Sequence, residues 1–347
     1  MKFLITGGAG YIGSTVASAL EDNGHTPIIL DSLVTGRKEF TRRRTFYQAD
    51  IAERAVLEKI FRQHPDIEAV LHCAALIVVP ESVENPYQYY HENVAKSMEL
   101  FYNLNQLGCK RIVFSSSASI YDLVPGFMVT EQSPLNPGSP YARTKFMMEI
   151  VLQDFCSAYG MQGIALRYFN PIGADPQMRS GIHVQFPSHV LGKLVDTAQG
   201  HLPYFPITGT EYETRDGTGI RDYIHIWDLA RAHVLALTGF DEVFARASNP
   251  DNGYLAINLG SGRGVTVREL VQAFENVYGQ TINKKEMPAR PGDVAGAYAN
   301  AETALQLLGW QTQLSVEDGI RDALRWGQVR ETMLSWAATE SDDDHTQ

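Results

Sequence analysis

No stretch of this 347-residue chain approaches the roughly 20 consecutive apolar residues that a membrane-spanning helix needs, so no membrane anchoring is expected. Cysteine is scarce and odd in number. Cys73, Cys109 and Cys156 stand far apart with no Cys-x-x-Cys pair, which indicates neither a disulfide framework nor a zinc site and suits a reducing cytosol. Basic charge is short as well: 29 Lys and Arg face 40 Asp and Glu, for a formal net charge of -11. The one basic run, Arg42 to Arg44, reads as a solvated loop. Nucleic-acid binding draws on a clustered basic surface, so no such partner is expected. Isolated histidines such as His72 and His225 read as core or strand residues, and no spacing supports a metal. The opening "MKFLITGG" loses its apolar character at its glycines and reads as a first strand, not a signal peptide, so a cytoplasmic location is expected.

What is present is a composition, 44% hydrophobic and 20% charged, typical of a soluble globular protein too long for one ordinary core. Short apolar runs at Lys2 to Thr6, Thr26 to Asp31, Ala69 to Ala74, Arg111 to Ser115 and Gly163 to Tyr168 alternate with longer segments of helical spacing. That alternation predicts an α/β fold: a Rossmann-type doubly wound parallel sheet with a smaller, discontinuous α/β substrate domain. Glu84 to Gly108 reads as one long helix with Pro86 in its first turn and Gly108 past its end. Another helix opens near Pro140, and Thr266 with Glu269 fits a capping box. Asp175 to Gly219, rich in Pro, Gly and polar residues, suits a segment that covers substrate. The expected division is 1–175 with about 220–255 for the nucleotide-binding domain, about 176–219 with 256–335 for the substrate domain, and an acidic tail at 336–347.

"LITGGAGYIGSTVASAL" supplies a strand, then Gly7, Gly10 and Gly13 at three-residue spacing, then an amphipathic helix. Glycines there allow a tight turn and close backbone approach, so a pyrophosphate can rest on the helix N-terminus. "IILD" ends the second strand with Asp31, whose carboxylate can bind both adenosine ribose hydroxyls and repels a 2'-phosphate; NAD is favoured over NADP. Asp50 and Ile51, past the third strand, fit either the adenine edge or an ordinary strand-end turn.

"SPYARTK" puts Tyr141 four residues before Lys145, on one face of a helix that starts beyond a strand of the same sheet. The Lys145 ammonium and a positive nicotinamide would favour phenolate at Tyr141, which could then take a hydroxyl proton as a hydride leaves the same carbon. Ser117, closing the "SSS" run, is placed to share that proton.

"TGGAGYIG", "SSSASIYD", "SPYARTK", "RYFNPIGA" and "DGTGIRDYIH", in this order over nearly the whole chain, resemble the extended short-chain dehydrogenase/reductases and, among them, the UDP-glucose (UDP-galactose) 4-epimerases. The resemblance implies a tightly retained NAD contacted at Tyr11, Ile12, Asp31, Asp50, Ile51, Asn93, Tyr141, Lys145 and Tyr168. It implies a UDP-sugar held at Ser117, Tyr141, Asn170, Arg221, Arg290, Asp293 and Ala297, and a homodimer. Arginine suits a diphosphate because its planar fork of donors pairs with phosphate oxygens. The implied reaction is a transient oxidation: Tyr141 takes the C4 hydroxyl proton, C4 gives its hydride to NAD, and the 4-keto sugar turns over before hydride returns to its other face.

Several positions depart from the family pattern. Ile77 stands where some members carry lysine beside the nicotinamide, Thr208 replaces an aromatic near the uracil, and "FPSHVLG", Phe186 to Gly192, replaces an asparagine-containing segment and leaves Ser188 and His189 as candidate sugar-nucleotide contacts. Ala297 occupies the place of a tyrosine in members restricted to glucose and galactose; its small side chain leaves room for an acetamido group. Among rivals, a nucleotide-sugar 4,6-dehydratase needs an Asp-Glu pair where Ser117, Ala118 and Ser119 offer no carboxylate. A UDP-glucuronate 4-epimerase stays open, while an NAD-sensing regulatory protein would have no need of the Tyr141 and Lys145 pair.

Overall fold

The computed structural model describes residues 1–185, 187–247, 252–289 and 294–334. Arg290, Asp293 and the acidic tail lie outside the described residues. Seven parallel strands form the central sheet: β1 (Lys2–Thr6), β2 (Thr26–Asp31), β3 (Thr45–Gln48), β4 (Ile67–His72), β5 (Arg111–Ser115), β6 (Gln162–Tyr168) and β7 (Tyr254–Leu259). Their spatial order is β7-β6-β5-β4-β1-β2-β3, so the winding reverses between β1 and β4, and ligands of such sheets bind outside that crevice at the strand carboxyl ends.

The strands are apolar at consecutive positions because both sheet faces are covered. Side chains alternate: Phe3 and Ile5 enter a core shared with helices α1 (Tyr11–Asp22) and α5 (Ile226–Thr238), while Leu4 enters the opposite core. That second core is shared with α2 (Arg54–Gln63), α3 (Lys96–Gln106) and α4 (Pro140–Tyr159).

The helix expected over Glu84 to Gly108 is not uniform. It runs as Pro86–Tyr90, a π turn at His91–Ala95, and α3, with Gly108 at φ 83 beyond its end. The wide turn aims Asn93 inward, where its amide brackets Leu76: Oδ1 accepts from Leu76 N at 2.8 Å and Nδ2 donates to Leu76 O at 2.9 Å. Single π turns of this kind recur at functional sites.

The expected boundary near 255 falls inside β7, which pairs in register with β6 from Tyr254–Gly163 to Leu259–Tyr168. Beyond it, Thr266 and Glu269 form the expected capping box on the helix Val267–Tyr278. Short strands Val265–Thr266, Ile220–Arg221, Gly296–Ala299 and Met128–Val129 make a second sheet, in that order. A third apolar cluster, including Leu194, Phe205, Tyr223, Phe274 and Ile320, lies under these elements.

Candidate active site

The turn after β1 is built so that only glycine fits it. Gly7 has φ 71, and a Cβ on it would lie 2.6 Å from the backbone N of Ala74. At Gly13 a Cβ would come within 2.3 Å of the Gly7 carbonyl oxygen, so α1 packs directly on the turn. Gly10 is different: its nearest neighbour would be the Gly7 oxygen at 3.3 Å, and it heads α1 without a side-chain cap. The first N–H groups of α1, at Tyr11 and Ile12, therefore face a bare approach suited to a phosphate. Tyr11 also sends its hydroxyl to the Gly173 carbonyl at 2.7 Å, joining this turn to the "NPIGA" segment.

Asp31 closes β2 nearly buried. Burial pushes its carboxyl above the usual range, opposed by N–H donors from Leu33 at 2.8 Å on Oδ1 and Ala9 at 2.9 Å on Oδ2. Each oxygen retains acceptor capacity for a diol. Asp50 Oδ2 takes Lys96 Nζ at 2.6 Å and its Oδ1 takes Ala52 N at 2.9 Å. Burial opposes its charge, but these donors hold the carboxyl below its ordinary value; Ile51 beside it is buried. The glycine turn, the diol-accepting carboxylate and the capless helix fit a dinucleotide.

Tyr141 and Lys145 rise from the first turns of α4, which Ser139 caps through Oγ on Ala142 N at 3.1 Å and Pro140 starts. Both are buried, and Lys145 Nζ donates to the Ser115 carbonyl at 2.8 Å and lies 5.0 Å from the Phe114 ring. Burial lowers Lys145 to about 8. For Tyr141 the protein's own groups act against the expected phenolate: burial raises the phenol, and a hydrogen bond from Ser117 recovers only part. Those two effects leave the phenol raised, so a lowered phenol needs charge from a bound group as well. Ser117 caps the short turn Ala118–Ile120, accepting from Ser119 N at 3.2 Å, with its Oγ 2.9 Å from Ser119 Oγ. Tyr168 lies in the same cluster; burial raises its phenol well above the ordinary value, and Tyr141 and Cys73 add to the rise. Asn93 joins through Thr144, donating to its Oγ1 at 3.1 Å.

Three positions expected to hold the sugar nucleotide lie on neighbouring short strands. Asn170 opens a strand that pairs with Tyr223–His225, its N–H reaching the Asp222 carbonyl at 3.0 Å, and Ala297 pairs directly with Arg221. The Arg221 guanidinium is turned toward carbonyls, donating to Ala295 O at 2.7 Å, Ile220 O at 2.8 Å and Val294 O at 3.0 Å. Among the departing residues, Ile77 is 65% exposed and Ser188 exposed. His189 instead caps the helix Val190–Ala198, Nδ1 accepting from Gly192 N at 3.2 Å. Thr208 ends the strand Phe205–Thr208.

Sequence reasoning missed two supports. Asp222, fully buried, accepts from Ser261 N at 2.7 Å, Gly262 N at 3.1 Å and Ala299 N at 3.1 Å, and so ties the Arg221 and Ala297 strands together. Glu149 and Arg167 pair in the interior, Nη2 to Oε2 at 2.6 Å. An acid eight residues beyond Tyr141 on an apolar helix face was the available signal. Among the described residues no group of His, Cys, Asp and Glu gathers to hold a metal, and no helix is long and apolar enough to cross a membrane.

The pattern of the NAD dependent epimerase/dehydratase family matches residues 3–248. The UDP-glucose 4-epimerase of Bacillus subtilis (strain 168) is 39% identical over 336 residues, spanning 94% of this chain and 96% of its own. A crystal structure of UDP-glucose-4-epimerase from Stenotrophomonas maltophila, with bound NAD and formylated UDP-arabinopyranose, superposes with a TM-score of 0.87 at 38% identity, covering 95% of this chain and 98% of that one. The UDP-glucose 4-epimerase of Bifidobacterium longum in complex with NAD+ and UDP gives a TM-score of 0.87 at 31% identity, over 96% and 99%.

Proposed function

Because the chain belongs to the NAD dependent epimerase/dehydratase family, we infer that it is an isomerase that inverts C4 of a UDP-hexose with NAD as its resident cofactor. One observation carries the reading: a buried Tyr141 and Lys145, with Ser117 beside them, stand at the carboxyl ends of the strands that also carry the Gly7–Gly13 turn and Asp31. Bound NAD supplies the hydride acceptor and returns the hydride. The protein's own residues do the rest. Tyr141 Oη takes the proton from the C4 hydroxyl and gives it back; Ser117 orients that hydroxyl by a shared hydrogen bond. Lys145 holds positive charge beneath both, which favours the phenolate as the proton arrives. Asp31 accepts from the adenosine ribose, and the N–H groups of Tyr11, Ile12 and Gly13 hold pyrophosphate. Asp50, Ile51, Asn93 and Tyr168 border this cofactor.

Asn170, Arg221 and Ala297 are the residues we assign to the UDP-sugar, with Arg290 and Asp293 assigned from the family pattern alone. The small side chain of Ala297 supports acceptance of N-acetylhexosamines. A division into a nucleotide-binding and a smaller substrate domain is supported by the separate third apolar cluster. A homodimer is supported by an apolar stripe on neighbouring α3 and α4, where Met98 (42%), Tyr102 (42%), Met147 (40%) and Ile150 (43%) are exposed. A cytoplasmic location is consistent with three free thiols.

The test is to incubate purified protein with a panel of UDP-hexoses and follow C4 configuration by NMR without added NAD. The reading expects inversion; no inversion of any sugar would overturn it.

A further inference from the structure

Tyr141, Lys145 and Glu149 repeat every four residues along α4 and so share one face, with exposures of only 8%, 3% and 4% in that order. Three consecutive serines run beside them. Ser115 O accepts from Lys145, Ser116 Oγ donates to Glu149 Oε1, and Ser117 hydrogen-bonds Tyr141. The outer two contacts belong to the proton-transfer site; the middle one does not.

Glu149 is held from other directions. It accepts from Arg167 Nε on β6 at 3.0 and 3.2 Å, from Arg167 Nη2 at 2.6 Å, and from Tyr254 Oη on β7 at 2.9 Å. Arg167 Nη1 in turn donates to Tyr121 Oη at 2.9 Å, and Tyr121 Oη donates to Asn258 Oδ1 at 2.8 Å. Tyr121 closes the short turn that Ser117 opens. The network therefore grips the serine run at its middle and just beyond its end. A buried ion pair seldom stabilises a fold more than apolar packing would, and its best-attested use is to fix one arrangement.

We propose that Glu149, braced by Arg167, is a positioning residue for C4 inversion: through Ser116 it fixes the serine run against the Tyr141 and Lys145 face of α4. This rests on the epimerase reading. The groups facing Lys145 are Glu149 and Tyr141 on α4, His72 and Cys73 at the end of β4, and Phe114 with Ser115 on β5. Of these, Cys73 and Glu149 favour the ammonium while burial opposes it.

The test compares Ser116→Ala, Ser116→Thr and Glu149→Gln with the parent, each loaded with NAD, on UDP-galactose. Ser116→Ala should lower kcat by between about tenfold and a hundredfold, the scale of a slightly misplaced reacting group, with KM within about twofold, and should stay folded at assay temperature with a Tm lowered by the loss of one buried hydrogen bond to a charged group. Ser116→Thr, which keeps the hydroxyl, should recover most of kcat. In Glu149→Gln the alkaline limb of the kcat profile should move to lower pH, because loss of the negative charge eases deprotonation of Lys145. A parental kcat in Ser116→Ala overturns the proposal, as does a loss that Ser116→Thr does not rescue. Should Glu149→Gln fail to fold, the two Ser116 variants still decide. A parent that inverts no UDP-hexose overturns the underlying reading and the proposal with it; an active parent with an unaffected Ser116→Ala overturns the proposal alone.

Discussion

Tyr141 does chemistry with one oxygen, and its ring fills space that phenylalanine fills equally. Tyr141→Phe should therefore fold and keep NAD while losing about a hundred- to ten-thousandfold in turnover, the usual worth of a positioned acid/base. Near-normal activity in the purified variant would contradict the role. Lys145 makes a prediction about stability as well. Burial brings it from 10.5 to about 8, which disfavours the folded ammonium by roughly 3 kcal/mol. Below pH 8 the folded and unfolded chains both hold this proton, and the cost is fully present. Between about pH 8 and 10.5 only the unfolded chain holds it, so this contribution makes stability rise with pH. In NAD-free protein, Lys145→Met should be more stable than the parent near pH 7, with the gap closing toward pH 10.5. Urea midpoints across that range check this; a gap that ignores pH would refute it.

At the scale of elements, we propose that the register of short strands bears on sugar choice. Ala297 faces Arg221 across a parallel pair, and the backbone there is tight: Gly296 has φ 117, and a Cβ on it would overlap Arg221 Nη1 at 2.0 Å. The strand cannot easily yield, so a phenol at 297 must take its space from the pocket; overpacking of this kind costs roughly 1–3 kcal/mol. The parent should accept UDP-GlcNAc or UDP-GalNAc as well as UDP-glucose and UDP-galactose, and Ala297→Tyr should remove only the acetamido sugars. Assays on all four sugars check this; equal loss on all four would point to a different cause. The five strands named from sequence were legible because parallel strands buried on both faces are unbroken apolar runs. β7 was obscured by Asn258, a polar residue at a fully buried place, whose side-chain oxygen accepts from Tyr121. The π turn that aims Asn93 inward leaves no sequence signature, since nothing in "HENVA" distinguishes a π turn from an α turn. Tyr141, Lys145 and Asp31 announced themselves by spacing and place, whereas Glu149 and Arg167 became visible only as a pair, brought together from α4 and β6 by the fold.

For the whole molecule, two features follow from surfaces beyond any single site. The stripe of Met98, Tyr102, Met147 and Ile150 is apolar where isolated helices would be charged. Met147→Glu should convert a dimer into a monomer by light scattering, and a parent already monomeric would refute the interface. The second is enclosure. If Tyr141 moves the proton and the C4 hydrogen leaves and returns as hydride within one closed site, that hydrogen never meets solvent. The most direct measurement is to convert UDP-galactose deuterated at C4 in ordinary water without added NAD and to read the product by NMR. The account predicts UDP-glucose with deuterium retained at C4. Deuterium lost to solvent, or inversion only when NAD is added, would contradict it.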